Sequence, residues 1–165
     1  MTAYGRVGWL NTATVRRARP DEADTLTILA LRSKAHWGYD QEFIDACRTE
    51  LTLTPGFVVK TPVRVFVANC RLLGFYSLVR WNSDVELGHF FVDPAVLRQG
   101  VGTRLWEDAV EQATSRGYQR LYVQSDPNAE SFYLRLGAER IGDVPSAVRA
   151  GRMLPLLMFE LAEER

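Results

Sequence analysis

The sequence predicts a single α/β domain built on a mixed, mostly antiparallel sheet, and three observations carry that prediction. Two apolar, aromatic-rich runs, VRVFVA (63–68) and LLGFYSLVRW (72–81), are separated only by NCR, the pattern of an antiparallel hairpin. Strand-like VELGHFFV (85–92), helix-like GTRLWEDAVEQATSRG (102–117) and strand-like RLYVQS (120–125) then follow in order. Such a βαβ unit makes its two strands parallel, with a right-handed crossover. Helical periodicity before the hairpin and again after RLYVQS supplies the flanking layers.

Taken in order, ATVRRAR (13–19) has modest strand character. From about Asp21 a helix follows, with Leu26, Leu29, Ala30 and Ser33 at helical spacing behind Pro20 and acidic residues that suit a helix N-terminus. It runs into SKAHWGYD (33–40), where Gly38 breaks the chain. DQEFIDACRTEL (40–51) reads as a second helix capped by Asp40, with Phe43, Ile44 and Cys47 on one side. No regular element is predicted between Thr52 and Pro62. The hairpin and third strand come next, and that strand ends at Asp93-Pro94. The crossover helix carries Leu105, Ala109 and Ala113 on one face, with Gly117 as its stop. DPNAESFYLRLG (126–137) reads as a short helix opening at Asp-Pro and closing at Gly137; AERIGDV (138–144) and LPLLMFEL (154–161) are the last strands.

Composition narrows the function. The chain has 165 residues, 47% hydrophobic, with four tryptophans and eight phenylalanines, enough apolar surface for one core. Lys+Arg and Asp+Glu balance at 20 each, which leaves no bulk positive field for nucleic acid or an anionic membrane. No apolar run is long enough to span a bilayer, and the first dozen residues have neither a basic nor an apolar leader segment, so the cytoplasm is the expected location. Cys47 and Cys70 lack metal-ligand or CxxC spacing and are expected as buried free thiols; no metal is expected. Residues 1–12 are read as an N-terminal extension and 13–165 as the domain.

LRQGVGTRL (97–105) joins a strand to the N-terminus of a strong helix. Gly100 and Gly102 allow close backbone approach, and the first helical turn offers unpaired N–H groups, so an anion is the expected guest. Arg98 adds charge and Thr103 a hydroxyl. The spacing is neither the dinucleotide GxGxxG nor the Walker Gly-Lys-Ser/Thr pattern.

Two segments together resemble the signatures of the GNAT superfamily of acyl-CoA N-acyltransferases. FFVDPAVLRQGVGTRLWEDAV is similar to the family's acetyl-CoA signature, an apolar strand, a Val-Asp-Pro turn, then Q/R-x-x-G-x-G opening a helix. DPNAESFYLRLGAERIG is similar to its second signature, with an Asn and a Tyr on a short helix before Leu-Gly. The first signature position falls on Leu97 here, with Arg98 and Gln99 next. The resemblance implies acetyl-CoA as acyl donor, with its pyrophosphate on Arg98, Gln99, Gly100, Val101, Gly102 and Thr103. The pantetheine arm would pair with the backbone of Phe90, Phe91 and Val92, and Asn128 would bond it from the other side. It implies Tyr133 as the acid that protonates the departing thiolate, with packing beside Phe132 as the alternative, and the Val92 N–H as donor to the thioester carbonyl.

For the base, the resemblance points to Glu86, with His89 as runner-up. Strict strand alternation puts the two on opposite faces, unless a bulge intervenes. The acceptor would be the primary amine of a small molecule, attacking directly in a ternary complex, with His36, Trp37, Tyr39 and Trp81 as its walls. Arg149 and Arg152 would instead suit a carboxylate. A protein or peptide amine, a non-catalytic acyl-CoA sensor, and a homodimer all stay open.

Overall fold

The computed structural model describes residues 12–162. Most of the predicted N-terminal extension, residues 1–11, lies outside them. Seven strands form one sheet: β1 (Thr14–Arg17), β2 (Val63–Ala68), β3 (Arg71–Trp81), β4 (Asp84–Val92), β5 (Arg120–Gln124), β6 (Glu139–Pro145) and β7 (Met153–Glu160). Their order is β1-β2-β3-β4-β5-β7-β6, and only β4 and β5 run parallel. Five helices flank the sheet: α1 (Ala23–Ala35), α2 (Gln41–Leu51), α3 (Pro55–Lys60), α4 (Val101–Ser115) and α5 (Glu130–Arg135).

The local signals act as expected in most places. The Asp40 side chain accepts a hydrogen bond from the Phe43 N–H and so opens α2. Asn69 and Cys70 both adopt positive φ, which matches the twist of a two-residue hairpin turn between β2 and β3. That turn leaves Cys70 exposed; only Cys47 is a buried thiol, a correction to the expectation for the pair. The start of the first helix is also later than predicted, because Pro20–Glu22 forms a tight 3₁₀ turn in which Glu22 takes a bidentate contact from Arg16. Helix α3 lies where no element was predicted: the Thr54 hydroxyl accepts from the Phe57 N–H, and Pro55 fills the first position.

The two sheet faces bury different clusters. Leu105, Trp106, Ala109 and Ala113 of α4 pack with Tyr76, Leu78, Leu87, Leu121 and Val123 on one face. Leu26, Leu29 and Ala30 of α1 pack with Val63, Val65 and Phe75 on the other. Gly74 permits the close approach of α4 to β3. A Cβ there would lie 2.8 Å from Leu105 Cδ1 and 3.0 Å from the Phe91 carbonyl oxygen. Gly74→Ala is therefore expected to destabilise the fold by about 2 kcal/mol and lower Tm by roughly 4–8 °C, measured by thermal unfolding. An unchanged Tm would mean the layer can shift at no cost.

Two features of β4 position the site. At its start, the buried Asp84 accepts from the N–H groups of Gln119 and Arg120 (3.1 and 3.0 Å), clamping β5 against it. Paired residues then run only from Val85↔Leu121 to Glu86↔Tyr122, so the parallel pair is closed at one end and splayed at the other. Midway, Ser77 pairs with His89 but Leu78 pairs with Leu87, which makes Gly88 the extra residue of a bulge. The bulge overturns strict alternation: Glu86, His89 and Phe91 share the α1 face, and Leu87, Phe90 and Val92 the α4 face.

Candidate active site

The splay opens into a cleft of about 1160 Å³. Its walls include β4 from Glu86 to Val92, the end of β5 through Asp126, the 97–103 loop, α5, and Ser33, Lys34, His36 and Trp37 at the end of α1. Strand β4 presents a free backbone edge to this cleft. The Asp93 N–H donates to the Leu73 carbonyl at 2.9 Å, and ladder groups alternate in direction. The polar backbone groups of Phe91 therefore also point into β3, whereas those of Phe90 and Val92 point into the cleft. Of the three backbone contacts expected from sequence, Phe91 is corrected to a ladder residue.

At the far end of β4 the chain makes a cradle for negative charge. Asp93 is buried, accepts from the Ala95 N–H and pairs with Arg32 of α1, which fixes the exit of the strand. Arg98 (φ 61°) and Gly100 (φ 90°) take left-handed backbone, reversing the direction of successive N–H groups. The first helical bond of α4 runs from the Arg104 N–H to the Gly100 carbonyl, so those of Val101, Gly102 and Thr103 have no acceptor within the helix. No acidic residue sits in that first turn. Leu97, Arg98, Gly100, Gly102 and Thr103 line the cleft, whereas Gln99 does not and the Val101 side chain is buried in the core. A Cβ on Gly102 would lie 3.1 Å from the Phe132 ring, so the floor is open only because that residue is glycine. Arg135, not singled out from the sequence, also lines the cleft.

Of the two adjacent aromatics of α5, Tyr133 is packed more deeply than Phe132. It is the buried ring, 4% exposed, packed at 5.6–5.7 Å from Trp106 and Phe90, while Phe132 is half-buried. It still lines the cleft, and its hydroxyl has no protein partner among the described residues, nor is it sealed from solvent. Burial, reinforced by the negative charge of Asp126, pushes its pKa above the ordinary tyrosine value, so the phenol stays protonated.

Glu86 and His89 both line the cleft on the α1 face but differ in availability. Burial raises the Glu86 carboxyl pKa, and no ion pair among the described residues opposes it. His89 Nδ1 lies 2.8 Å from the fully buried Ser77 Oγ, and its ring sits among Phe57, Phe75 and Phe91. Burial lowers its pKa, the Glu50 backbone acting in the opposite sense, so the neutral ring is favoured and its Nδ1 is already engaged by Ser77.

Of the proposed acceptor walls, His36 and Trp37 line the cleft and are exposed, stacked edge-on at 5.4 Å. Tyr39 does not line it: its ring packs on Phe43 at 4.4 Å and its hydroxyl turns toward Asp126. Trp81 is also corrected. It packs edge-on against Tyr122 at 4.4 Å, beyond the closed end of the parallel pair, and is not among the lining residues. Arg152 is already engaged, by Tyr39 Oη (2.9 Å), Asp126 (3.5 Å) and the face of Phe43; Arg149 lies over the same ring, beside Asp40.

Asp126 is another residue that sequence reasoning missed. In Asp126-Pro127 it reads as a helix start, but α5 begins only at Glu130, and the carboxylate instead collects Lys34, Tyr39, Asn128 and Arg152. Burial opposes its charge, yet Lys34, the Asn128 backbone N–H and the Tyr39 hydroxyl hold its pKa below the usual carboxylate range. Its acidity was visible, but Lys34 and Tyr39, 92 and 87 residues away from it in the chain, were not visible as its partners.

Residues 57–153, more than half of the chain, match the family model described as an acetyltransferase (GNAT) domain. An uncharacterized N-acetyltransferase of Methanocaldococcus jannaschii is 29% identical over 142 residues, 79% of this chain; the match spans 62% of that relative's length. The paia N-acetyltransferase from Thermoplasma acidophilum, solved with coenzyme A, has a TM-score of 0.75 at 17% identity, over 90% of this chain and 98% of its own. The protein yncA from Salmonella typhimurium, solved with its cofactor acetyl-CoA, has a TM-score of 0.67 at 22% identity, over 93% of this chain and 96% of its own. The seven-stranded mixed sheet with one parallel pair is thus a fold that these structures share.

Proposed function

Since the chain belongs to the GNAT acetyltransferase family, we propose that it transfers an acetyl group from acetyl-CoA to a primary amine of a small molecule, by direct attack in a ternary complex. The observation that carries the donor is the splay itself, a free β4 edge leading to a helix N-terminus whose first N–H groups lack partners. The pantetheine arm is an amide chain that would add to that edge as a strand would, and the pyrophosphate would take the N–H groups of Val101, Gly102 and Thr103 with Arg98. Coenzyme A in the similar solved structures supports this reading.

The chemistry follows from three groups of this chain. Acceptor amines arrive protonated, so one proton must leave before nitrogen can attack; Glu86 accepts it, directly or through water. The N–H of Val92 or Phe90 polarises the thioester carbonyl as the C–N bond forms. Tyr133 donates its proton to sulfur as the C–S bond breaks, a role that requires the protonated phenol its burial maintains, and the second proton that nitrogen sheds on becoming an amide restores the phenol. An amine is favoured over a carboxylate-bearing acceptor because Lys34 and Arg152 are taken up by Asp126 while Glu50 and Glu86, both lining the cleft, form no ion pair among the described residues.

Free-thiol detection with acetyl-CoA and a panel of diamines, monoamines, amino acids and peptides tests the proposal. Thiol release with a small amine supports it; release with peptides alone would move the acceptor to a peptide amine, and binding without release would make the protein a sensor. The pH dependence tests the base. Because a protonated Glu86 cannot accept a proton, kcat/KM is expected to fall on the acid side through an apparent pKa above the ordinary carboxylate value of 4.5. Glu86→Gln should remove that limb, and an identical limb in the variant would exclude Glu86 as base.

A further inference from the structure

We propose that Asp126 is a positioning residue that sets both halves of the cleft at once, turning the Asn128 carboxamide toward the cofactor arm and holding the acceptor wall through Lys34, Tyr39 and Arg152. This rests on the acetyl-CoA reading of the cleft.

Three side chains carrying full charge meet here with little water: Lys34 is 14% exposed, Asp126 12% and Arg152 16%. Lys34 Nζ lies 2.6 Å from Asp126 Oδ2. The Tyr39 hydroxyl donates to the carboxylate (2.9–3.0 Å) and accepts from Arg152 Nη2 (2.9 Å). These contacts join α1, the segment before α2 and the residue before β7 to the end of β5. The loop between β6 and β7 is held against the same wall by Val148, which packs on the Phe43, Ile44 and Cys47 cluster.

The consequence for Asn128 follows from donor and acceptor counting. A carboxylate only accepts, so the side of the amide facing Asp126 must be NH₂. Nδ2 is 3.0 Å from Asp126 Oδ1 and 3.1 Å from Tyr39 Oη, which engages both of its hydrogens. The backbone N–H of Asn128 donates to the same Oδ1 at 2.9 Å, fixing the turn through Pro127. Only the amide oxygen is left, and it suits the N–H donors of a pantetheine chain. The carboxylate thus decides which end of Asn128 faces the ligand, and Tyr39, which does not line the cleft, takes part through it.

The test is a double-mutant cycle on coenzyme A affinity, by calorimetry. Asp126→Asn replaces one accepting oxygen by a donor, so an amide of the network must turn. Asp126→Asn and Asn128→Ala are each expected to weaken binding about tenfold, and the double variant also about tenfold, not the hundredfold of independent sites. Wild-type affinity in Asp126→Asn, or multiplicative losses, would overturn the proposal, because a merely structural role predicts no coupling to Asn128. If Asp126→Asn does not fold, Tyr39→Phe takes its place in the cycle: it removes one partner of the Asn128 amide and of the carboxylate, and the same non-additivity is expected, on a smaller scale. Failure of the wild-type protein to bind coenzyme A would overturn the cofactor reading instead, and this inference with it.

Discussion

Tyr133→Phe is expected to lower turnover by about a hundredfold, the usual loss when a general acid is removed, while leaving the affinity for coenzyme A within about twofold. The separation of the two effects comes from the packing. Phenylalanine keeps the ring contacts with Phe90, Trp106 and Phe132, and the hydroxyl it deletes holds no other described residue in place. Steady-state kinetics at saturating substrates, beside calorimetry with coenzyme A, makes the measurement. Because burial and Asp126 raise the Tyr133 pKa above its ordinary value of 10.0, the wild-type enzyme should show no alkaline loss of kcat from this residue below that pH. Unchanged turnover in the variant would remove Tyr133 from the reaction and leave it as a core aromatic.

The second large effect is expected at the loop. Gly102→Asp should weaken coenzyme A binding by about a hundredfold, roughly 3 kcal/mol, while the fold is retained. Two costs combine. A Cβ at this position meets Phe132 Cε2 at 3.1 Å and Cζ at 3.2 Å, and the carboxylate occupies the positive end of α4, where it repels a pyrophosphate. Folding itself is helped by a negative charge in a first helical turn, so Tm should fall far less than affinity. Gly102→Ala separates the costs by adding bulk alone. A loss equal to that of the aspartate would show that shape and not charge governs the loop, and undiminished binding by the aspartate variant would displace the pyrophosphate from it.

Much of the architecture was legible because its signals are local. A hairpin turn, a helix cap at Asp40, and apolar periods of two and 3.6 are each written within a dozen residues, and the crossover rule converts strand-helix-strand into a parallel pair. Helix α3 was not legible because six residues give too short a window for periodicity; its cap and proline were the signals available. The cofactor side of the site was readable for the same reason as the fold, since a glycine loop, a helix N-terminus, and Asn128 with Tyr133 are contiguous patterns.

The acceptor side was not, and particular residues show why. His36, Trp37, Tyr39 and Trp81 are chemically alike in a sequence, all able to wall a cleft. Burial then divides them: two face the cleft, one turns inward to Asp126, and one packs beyond the closed end of the parallel pair. Glu86 and His89 were opposed by alternation and are brought to one face by a single extra residue, Gly88. A glycine in mid-strand permits a bulge, but whether and where one forms is set by the pairing of two strands.

By itself, then, the sequence determined the order and kind of the main elements, the mixed sheet, and the loop that suits an anion, because these depend on residues near one another in the chain. Only the tertiary structure decided where the parallel pair opens, which carboxylates form no ion pair among the described residues, and that Asp126 gathers Lys34, Tyr39, Asn128 and Arg152. Those outcomes depend on which charges lose their water together, and that is settled when distant segments pack.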